Sequence, residues 1–309
     1  MLHEGGPTES APKAGRIYQS HANRTQAEVQ AFSSRPGWTF PSGTLGELTH
    51  AAHERASRVQ ATLPELQRVA RDMPIVPPDA ESFAAALRGP ALRVIAEVKR
   101  ASPSKGAINP GIDAALQAAH YVEGGAAAIS VLTEPTRFGG TLDDLAAVAA
   151  RVTVPIIRKD FLVHPAQLWE ARVHGATAVL LIVRALSPSE LPMLMDVARE
   201  CGVATLVEIR DEAELDRALA VGATVIGVNN RNLETLRIDP TTAPTLIPRI
   251  PASCVAVAES GMQTPDDVAA SARAGADALL VGSAISASAD PASAVRALAR
   301  IPRSTTARR

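Results

Sequence analysis

The chain has 309 residues, of which 46% are hydrophobic and 3% aromatic, and a formal net charge of −1. That apolar share is ample for one large core or two modest ones, filled by Ala, Val, Leu and Ile, and the absence of a sustained basic block argues against a nucleic-acid partner. No apolar run reaches the length needed to cross a bilayer, so no membrane association is expected.

Residues 1–42 are rich in Gly, Ser, Pro and Thr without an apolar period, and read as a flexible extension. The start, Met1 to Pro7, has no charged segment followed by an apolar one, so no secretory signal is read and a cytoplasmic location is expected. Thr44-Leu45-Gly46-Glu47 has the form of a capping box, opening an amphipathic helix through about Ala61 with Leu45, Leu48, Ala52 and Val59 on one stripe. From residue 93 onward the chain alternates strand and helix. Apolar runs at 93–98, 127–132, 155–159, 177–182, 203–208, 223–228, 253–258 and 277–281 read as strands. Helix starts fall between them at Thr141, Ser187-Pro188, Asp211, Asp239-Pro240, Thr264-Pro265 and Asp290-Pro291.

Two interlocked patterns set the architecture. Gly125-Ala126-Ala127-Ala128, Gly175-Ala176-Thr177-Ala178, Gly222-Ala223-Thr224-Val225 and Gly275-Ala276-Asp277-Ala278 are near-copies, spaced 50, 47 and 53 residues apart. Each places Gly where a helix ends left-handed and an apolar strand follows. Four strand-helix-strand-helix repeats make eight units, which predicts an α/β fold: a (β/α)8 barrel with an extra N-terminal helix over 43–302. The tail over 303–309 is expected to be disordered.

The other strands of each repeat end on charges. Glu97 and Lys99 stand two apart, so on a strand they leave the same face. Lys159 follows Ile156-Ile157-Arg158, Glu208 follows Leu206-Val207, and Glu259 follows Val255 to Ala258. Barrel chemistry sits at the C-terminal strand ends. Collected there are Glu97, Lys99 and Ser102, then Lys159 with Asp160, Glu208, Asn229 and Arg231, Glu259 and Ser260, and Gly282 and Ser283. This inventory suits acid–base work by lysine and carboxylate, and holds no His/Cys/Asp cluster of metal-ligand spacing, so no metal is expected. An oxygen must take its proton from a group poised near neutral pH, which a lysine close to another cation can supply. Cys201 and Cys254 are expected to be buried and structural.

Ala258-Glu259-Ser260-Gly261 and Leu280-Val281-Gly282-Ser283 are turns of small residues after the seventh and eighth strands. Backbone N–H groups at Gly261, Gly282 and Ser283 are expected to cradle a phosphate, with residue 282 in a loop outside the packed layers. Phe138 and Phe161 follow strands two and three and could wall an aromatic pocket.

Over roughly residues 44–300 the chain resembles the indole-3-glycerol phosphate synthases. The resemblance is carried by AEVKRASPSKG at 96–106, SVLTEPTRFGG at 130–140, RKDF at 158–161, LVEI at 206–209, GVNNRNLET at 227–235, AESG at 258–261 and LVGSA at 280–284. It implies a carboxy-lyase of tryptophan biosynthesis, acting without cofactor or metal. Its phosphorylated small-molecule substrate is 1-(2-carboxyphenylamino)-1-deoxyribulose 5-phosphate. It further implies Lys159 as general acid, Lys99 on the substrate carboxylate, Glu208 as base or electrostatic partner, and Glu97 with Asn229 as orienting groups. Ser102, Arg231, Glu259 and Ser260 would complete the binding shell, Gly261, Gly282 and Ser283 would take the phosphate, and Phe138 and Phe161 the anthranilate ring. The chain departs from the family pattern at His164 and Ala166, usually Asp and Tyr, at Asn232, usually Asp, and at Ile285-Ser286, usually Leu-Met. Fusion to a second barrel is not expected, since too few residues follow 300. Other readings of the same barrel are a paralogue serving specialised indole metabolism, a lysine Schiff-base aldolase, and a non-catalytic phosphate-binding barrel.

Overall fold

The computed structural model describes residues 38–74, 79–262, 264–304 and 308. It divides into two units, residues 1–39 and 40–309, and the elements below belong to the second. Most of the expected extension, and positions 305–307 and 309 of the expected tail, lie outside the described residues.

Eight parallel strands close into a barrel: β1 (Arg93–Val98), β2 (Ala128–Leu132), β3 (Ile156–Lys159), β4 (Ala178–Ile182), β5 (Ala204–Ile209), β6 (Val225–Asn229), β7 (Val255–Glu259) and β8 (Ala278–Val281). Each pairs with its sequence neighbours, and β1 also pairs with β8. The helices are α1 (Gly43–Gln60), α2 (Leu63–Asp72) and α3 (Ala80–Ala86) before the barrel. Within it come α4 (Ala114–Glu123), α5 (Leu142–Arg151), α6 (Pro165–Val173), α7 (Glu190–Cys201), α8 (Glu212–Ala220), α9 (Thr242–Leu246), α10 (Pro265–Arg273), α11 (Ser283–Ser286) and α12 (Pro291–Ala299). The strands are buried almost end to end, as in a barrel covered by helices outside and filled by side chains inside. Cys201 and Cys254 are buried free thiols. No described helix is long and apolar enough to cross a membrane.

The repeated glycines explain how each helix hands over to the next strand. Gly125, Gly175, Gly222 and Gly275 have φ of 94°, 85°, 75° and 93°. At each, the following residue donates back into the last helical turn, as Ala126 N does to the Tyr121 carbonyl at 2.9 Å and Ala176 N to Ala171 at 3.0 Å. The chain thereby reverses within two residues and enters the barrel floor. Two residues past the glycine, Thr177 Oγ1 accepts from Ile156 N and Asp277 Oδ2 from Ala256 N, both at 2.8 Å, satisfying strand-start donors. Asp277 also pairs with Arg303 at 2.8 Å and with Arg308.

Helix caps that rest on nearby residues form as expected: Thr141, Asp211, Thr264 and Asp290 each accept from the backbone three residues on. The start near Ser187 is displaced, with α7 beginning at Glu190. The capping box at Thr44 to Glu47 is a correction. Helix α1 begins at Gly43 and no side chain caps it. Its first donors are met from the loop after β6 instead. Ser42 N and Oγ donate to Glu234 Oε1 at 2.7 and 3.1 Å, and Thr44 N donates to the Glu234 carbonyl at 3.1 Å. Glu47 turns outward to Arg137 at 2.9 Å.

A left-handed conformation costs a non-glycine residue about 1–2 kcal/mol. Gly222→Ala meets no atom within 4 Å and should pay that alone, whereas an added Cβ at Gly175 lies 2.5 Å from that of Ala149. With roughly 2–4 °C of melting temperature per kcal/mol in a domain of this size, Gly222→Ala should melt a few degrees low and Gly175→Ala lower still. Thermal melts of the two variants check the order; equal losses would mean that the helix-to-strand turn yields to the extra methyl.

Candidate active site

The four odd strands each deliver one charged side chain to the C-terminal mouth: Glu97 from β1, Lys159 from β3, Glu208 from β5 and Glu259 from β7. Inward residues of a (β/α)8 barrel come in layers from alternate strands, so four charges at matching ends of odd strands face one another. Strands β5 to β7 begin and end one or two residues later than the apolar runs suggested. Glu208, Asn229 and Glu259 therefore sit on rigid strand, with Asn229 opposite Glu259 in register.

These residues surround a cavity of about 330 Å³. All fifteen residues collected from the sequence line it: Glu97, Lys99, Ser102, Phe138, Lys159, Asp160, Phe161, Glu208, Asn229, Arg231, Glu259, Ser260, Gly261, Gly282 and Ser283. The volume is in the range of small-molecule sites. Apolar side chains from Leu132, Leu180, Leu233 and Ile238 fill the wall between the polar groups.

Lys159 is the electrostatic centre. Its Nζ lies 3.5 Å from Glu208 Oε2 and 3.5 Å from Glu259 Oε2. Burial pulls the ammonium down, but Glu259, Glu208 and Glu97 together outweigh it and hold its pKa above the ordinary lysine value. This corrects the expectation of a lysine brought toward neutral pH by a second cation. The carboxyl groups converging on Lys159 therefore hold it in its charged form.

The carboxylates divide in turn. Glu97 is buried, which raises its pKa, yet Lys99 at 2.9 Å and Lys159 bring it below the usual carboxylate range. Glu259 is pushed up to about 8, by burial first and by the nearby Glu208 and Glu97 charges, with Lys159 opposing. Glu208 Oε1 accepts from Asn229 Nδ2 at 3.0 Å, and Asn229 Oδ1 accepts from Arg231 N at 2.9 Å. Asn229 thus fixes the orientation of Glu208. Lys99 lies 5.7 Å from the Phe138 ring centroid, and Phe138 and Phe161 stand 6.3 Å apart. Ser102 is buried and its Oγ accepts from Lys105 N at 3.2 Å.

The turns after β7 and β8 open toward the same cavity. Ser260 has a left-handed φ of 61°, a strained choice for a residue with a Cβ, and its carbonyl accepts from Asn230 Nδ2 at 3.0 Å. Gly282 is not in a free loop. A Cβ there would stand 2.5 Å from Glu97 Oε1.

Several contributors lay outside the sequence reading. Asn230, buried after β6, also accepts from Ala243 N at 2.8 Å and so locks the β7 turn to α9. Gly227 makes room for a carboxylate, because a Cβ there would stand 1.9 Å from Glu259 Oε1. Tyr121 and Ser286 lie 3.0 Å apart, and Ser286 Oγ donates to the Glu97 carbonyl at 3.1 Å. A polar side chain between Ile285 and Ala287 was the available signal for Ser286; for Asn230, one of several polar residues in a row, and for Gly227 nothing local gave one. The departures from the family pattern have local duties. His164 Nδ1 accepts from Ala166 N at 3.1 Å and caps α6, and Asn232 Oδ1 accepts from Glu234 N and Thr235 N at 2.9 and 3.0 Å. No three His, Cys, Asp or Glu side chains among the described residues are grouped to hold a metal ion.

Fold and mouth together define a (β/α)8 barrel that gathers lysines and carboxyl groups at the C-terminal ends of its strands. The profile of the indole-3-glycerol phosphate synthases matches residues 48–298. Indole-3-glycerol phosphate synthase 1 of Streptomyces coelicolor is 52% identical over 243 residues, covering 78% of this chain and 88% of that protein. The indole-3-glycerol phosphate synthase of Mycobacterium sp. strain KMS is 53% identical over 211 residues, covering 68% and 78%. Among solved structures, 3-hexulose-6-phosphate synthase from Salmonella typhimurium aligns with a TM-score of 0.55 at 16% identity, over 68% of this chain and 97% of that one, a likeness of fold alone. The chain belongs to the indole-3-glycerol phosphate synthase family.

Glu259 links the site to stability. Its folded pKa is raised, so its contribution is fully present below the unfolded carboxylate value and is lost as pH rises through about 8. Between pH 5 and 8 the unfolded chain ionises this group while the folded site resists. Glu259→Gln should therefore flatten the decline in urea midpoint from pH 5 to pH 8. An unchanged slope would mean that Glu259 is ionised in the folded protein at neutral pH.

Proposed function

We propose that the cavity closes the indole ring of indole-3-glycerol phosphate from 1-(2-carboxyphenylamino)-1-deoxyribulose 5-phosphate, releasing carbon dioxide and water. The observation that carries this reading is a half-buried Lys159 among the carboxyl groups of Glu97, Glu208 and Glu259, beside a Lys99–Glu97 pair and two phenylalanines.

In this assignment Phe138 and Phe161 hold the anthranilate ring, and Lys99 engages its carboxylate. The ring carbon bearing that carboxylate attacks the ketone carbon, and Lys159 protonates the ketone oxygen as it becomes a hydroxyl. The bond to the carboxylate then breaks, carbon dioxide leaves and aromaticity returns. Loss of the hydroxyl as water, with Lys99 sharing in the acid step, leaves a proton on the neighbouring carbon for Glu208 to remove. Glu97 and Asn229 orient the lysines and the sugar hydroxyls. Ser102, Arg231, Glu259 and Ser260 complete the shell, and Gly261, Gly282 and Ser283 take the phosphate through backbone N–H groups. Holding ring and ketone together is worth ~7–11 kcal/mol in well-oriented reactions. Such work needs no nucleic-acid or membrane partner, and we place it in the cytoplasm. The working unit is residues 43–302, with 1–42 and 303–309 outside the chemistry.

Incubating the purified protein with this substrate should generate the indole chromophore. Lys159→Met should lower kcat by ~10²–10⁴, as for other general acid–base groups, while substrate still binds. A variant that keeps more than a tenth of wild-type kcat in single-turnover experiments would remove Lys159 from the acid role.

The phosphate assignment has its own check. Gly282 packs on Glu97, so a side chain there would disturb two sites; Ser283, half-buried at the start of α11, is the cleaner probe. Ser283→Asp should weaken both inorganic phosphate and substrate by tenfold or more through like-charge repulsion, with the melting temperature nearly unchanged. Wild-type affinity for both ligands in the variant would place the phosphate elsewhere.

A further inference from the structure

We infer that Arg55, on the N-terminal helix α1, is a positioning residue that sets both aromatic walls of the substrate pocket. Two buried carboxylates lie behind those walls. Glu134 is 0% exposed and Asp160 2%. Glu134, just after β2, accepts from Thr136 N at 3.0 Å, Arg137 N at 2.7 Å and Phe138 N at 3.2 Å, and so closes the turn that presents Phe138. Asp160, just after β3, accepts from Phe161 N at 2.8 Å with Oδ1 and from Thr133 Oγ1 at 2.8 Å with Oδ2. Each carboxylate therefore holds the backbone N–H of one of the two phenylalanines.

One guanidinium reaches both. Arg55 Nη2 donates to Asp160 Oδ1 at 2.7 Å, and its Nη1 lies 3.6 Å from Glu134 Oε1. Arg158, the other cation here, contacts Asp160 at 3.4 Å but is directed mainly to Glu170, the Gln167 carbonyl and Thr133. Among the described residues Glu134 has its ion pair from Arg55 alone. A planar fork suits this task, because it can address two separate carboxylates from one side chain, which a lysine ammonium cannot do with the same geometry. Removing Arg55 leaves the buried Glu134 without its ion pair and Asp160 with the 3.4 Å contact to Arg158 alone, so both carboxylates would relax toward water and carry the Phe138 and Phe161 backbones with them. The helix outside the barrel thus acts on the ring pocket through two loops. The inference rests on the proposed role of the phenylalanines as ring-holding walls.

The test uses the full chain with Arg55→Lys and Arg55→Met. The readouts are kcat and KM for the carboxyphenylamino-deoxyribulose phosphate, binding of 2-aminobenzoate by its own fluorescence, binding of inorganic phosphate, and melting temperature. Arg55→Met should raise KM and weaken 2-aminobenzoate by about tenfold, the scale of a charge-assisted hydrogen bond. Its kcat should stay within about threefold and its phosphate affinity should match wild type. Arg55→Lys should recover part of the loss, and it decides the matter if Arg55→Met does not fold. In a Phe138→Leu background, Arg55→Met should cost less than it does alone. A fall in melting temperature with KM and 2-aminobenzoate affinity unchanged overturns the inference, as does an equal loss of phosphate affinity. Binding of 2-aminobenzoate that weakens on Arg55→Met, in a protein that never forms indole, would sink the proposed reaction and leave the inference standing. Normal turnover with Arg55 silent would do the reverse.

Discussion

Everything at the mouth of this barrel is arranged around one half-buried ammonium and the carboxyl groups that hold it. A lysine placed in the interior would shed its proton to escape the cost of a buried charge. Here the carboxyl groups of Glu208 and Glu259 stand 3.5 Å from Lys159 Nζ, and Glu97 adds to the negative field. The surplus of negative charge must then be absorbed, and it is absorbed unevenly: Glu97 by Lys99, Glu208 by Asn229, and Glu259 by retaining its proton to higher pH. The backbone follows suit. Gly227 leaves space for the Glu259 carboxylate, and Gly282 for that of Glu97. Glycine at these positions is an electrostatic requirement expressed as a steric one.

What could be read from the sequence is what depends on near neighbours. The Gly-Ala repeat announces four helix-to-strand turns because the left-handed glycine and its return hydrogen bond lie within six residues. Thr141, Asp211, Thr264 and Asp290 are legible as caps for the same reason. The box at Thr44 failed because the real partner, Glu234, is 192 residues from Ser42 and comes from the loop after β6. The charged strand ends could be gathered into one cavity from the sequence because period two and alternate-strand layering carry them to one mouth. The direction of the Lys159 shift was not legible. It depends on how many carboxylates converge, and no spacing along one strand records that.

The departures from the family pattern are instructive in the same terms. His164 and Asn232 stand where the resemblance leads one to expect aspartate, and each still accepts backbone N–H groups at its turn. What those positions require is an acceptor of the right reach, with charge secondary. Ser286 differs in kind, since its hydroxyl reaches the carbonyl of Glu97 and joins α11 to β1. A methionine could fill the space but could not make that bond.

The packing of Gly282 against Glu97 bears on the shape of the bound ligand. The proposed phosphate turn leaves β8, and β8 pairs directly with β1, which carries the Lys99–Glu97 pair. Adjacent strands lie about 4.8 Å apart, so the two charged ends of the substrate would be anchored on neighbouring staves, with the aromatic walls on the next two. A freely rotating sugar chain tethered this way would be bound curled, its middle turned toward Lys159. Freezing such rotors costs about 0.5–1.5 kcal/mol for each flexible segment. A cyclic compound already bent to that curvature would arrive with this entropy spent during synthesis, while an equally stiff linear one would find no two anchors it could reach at once.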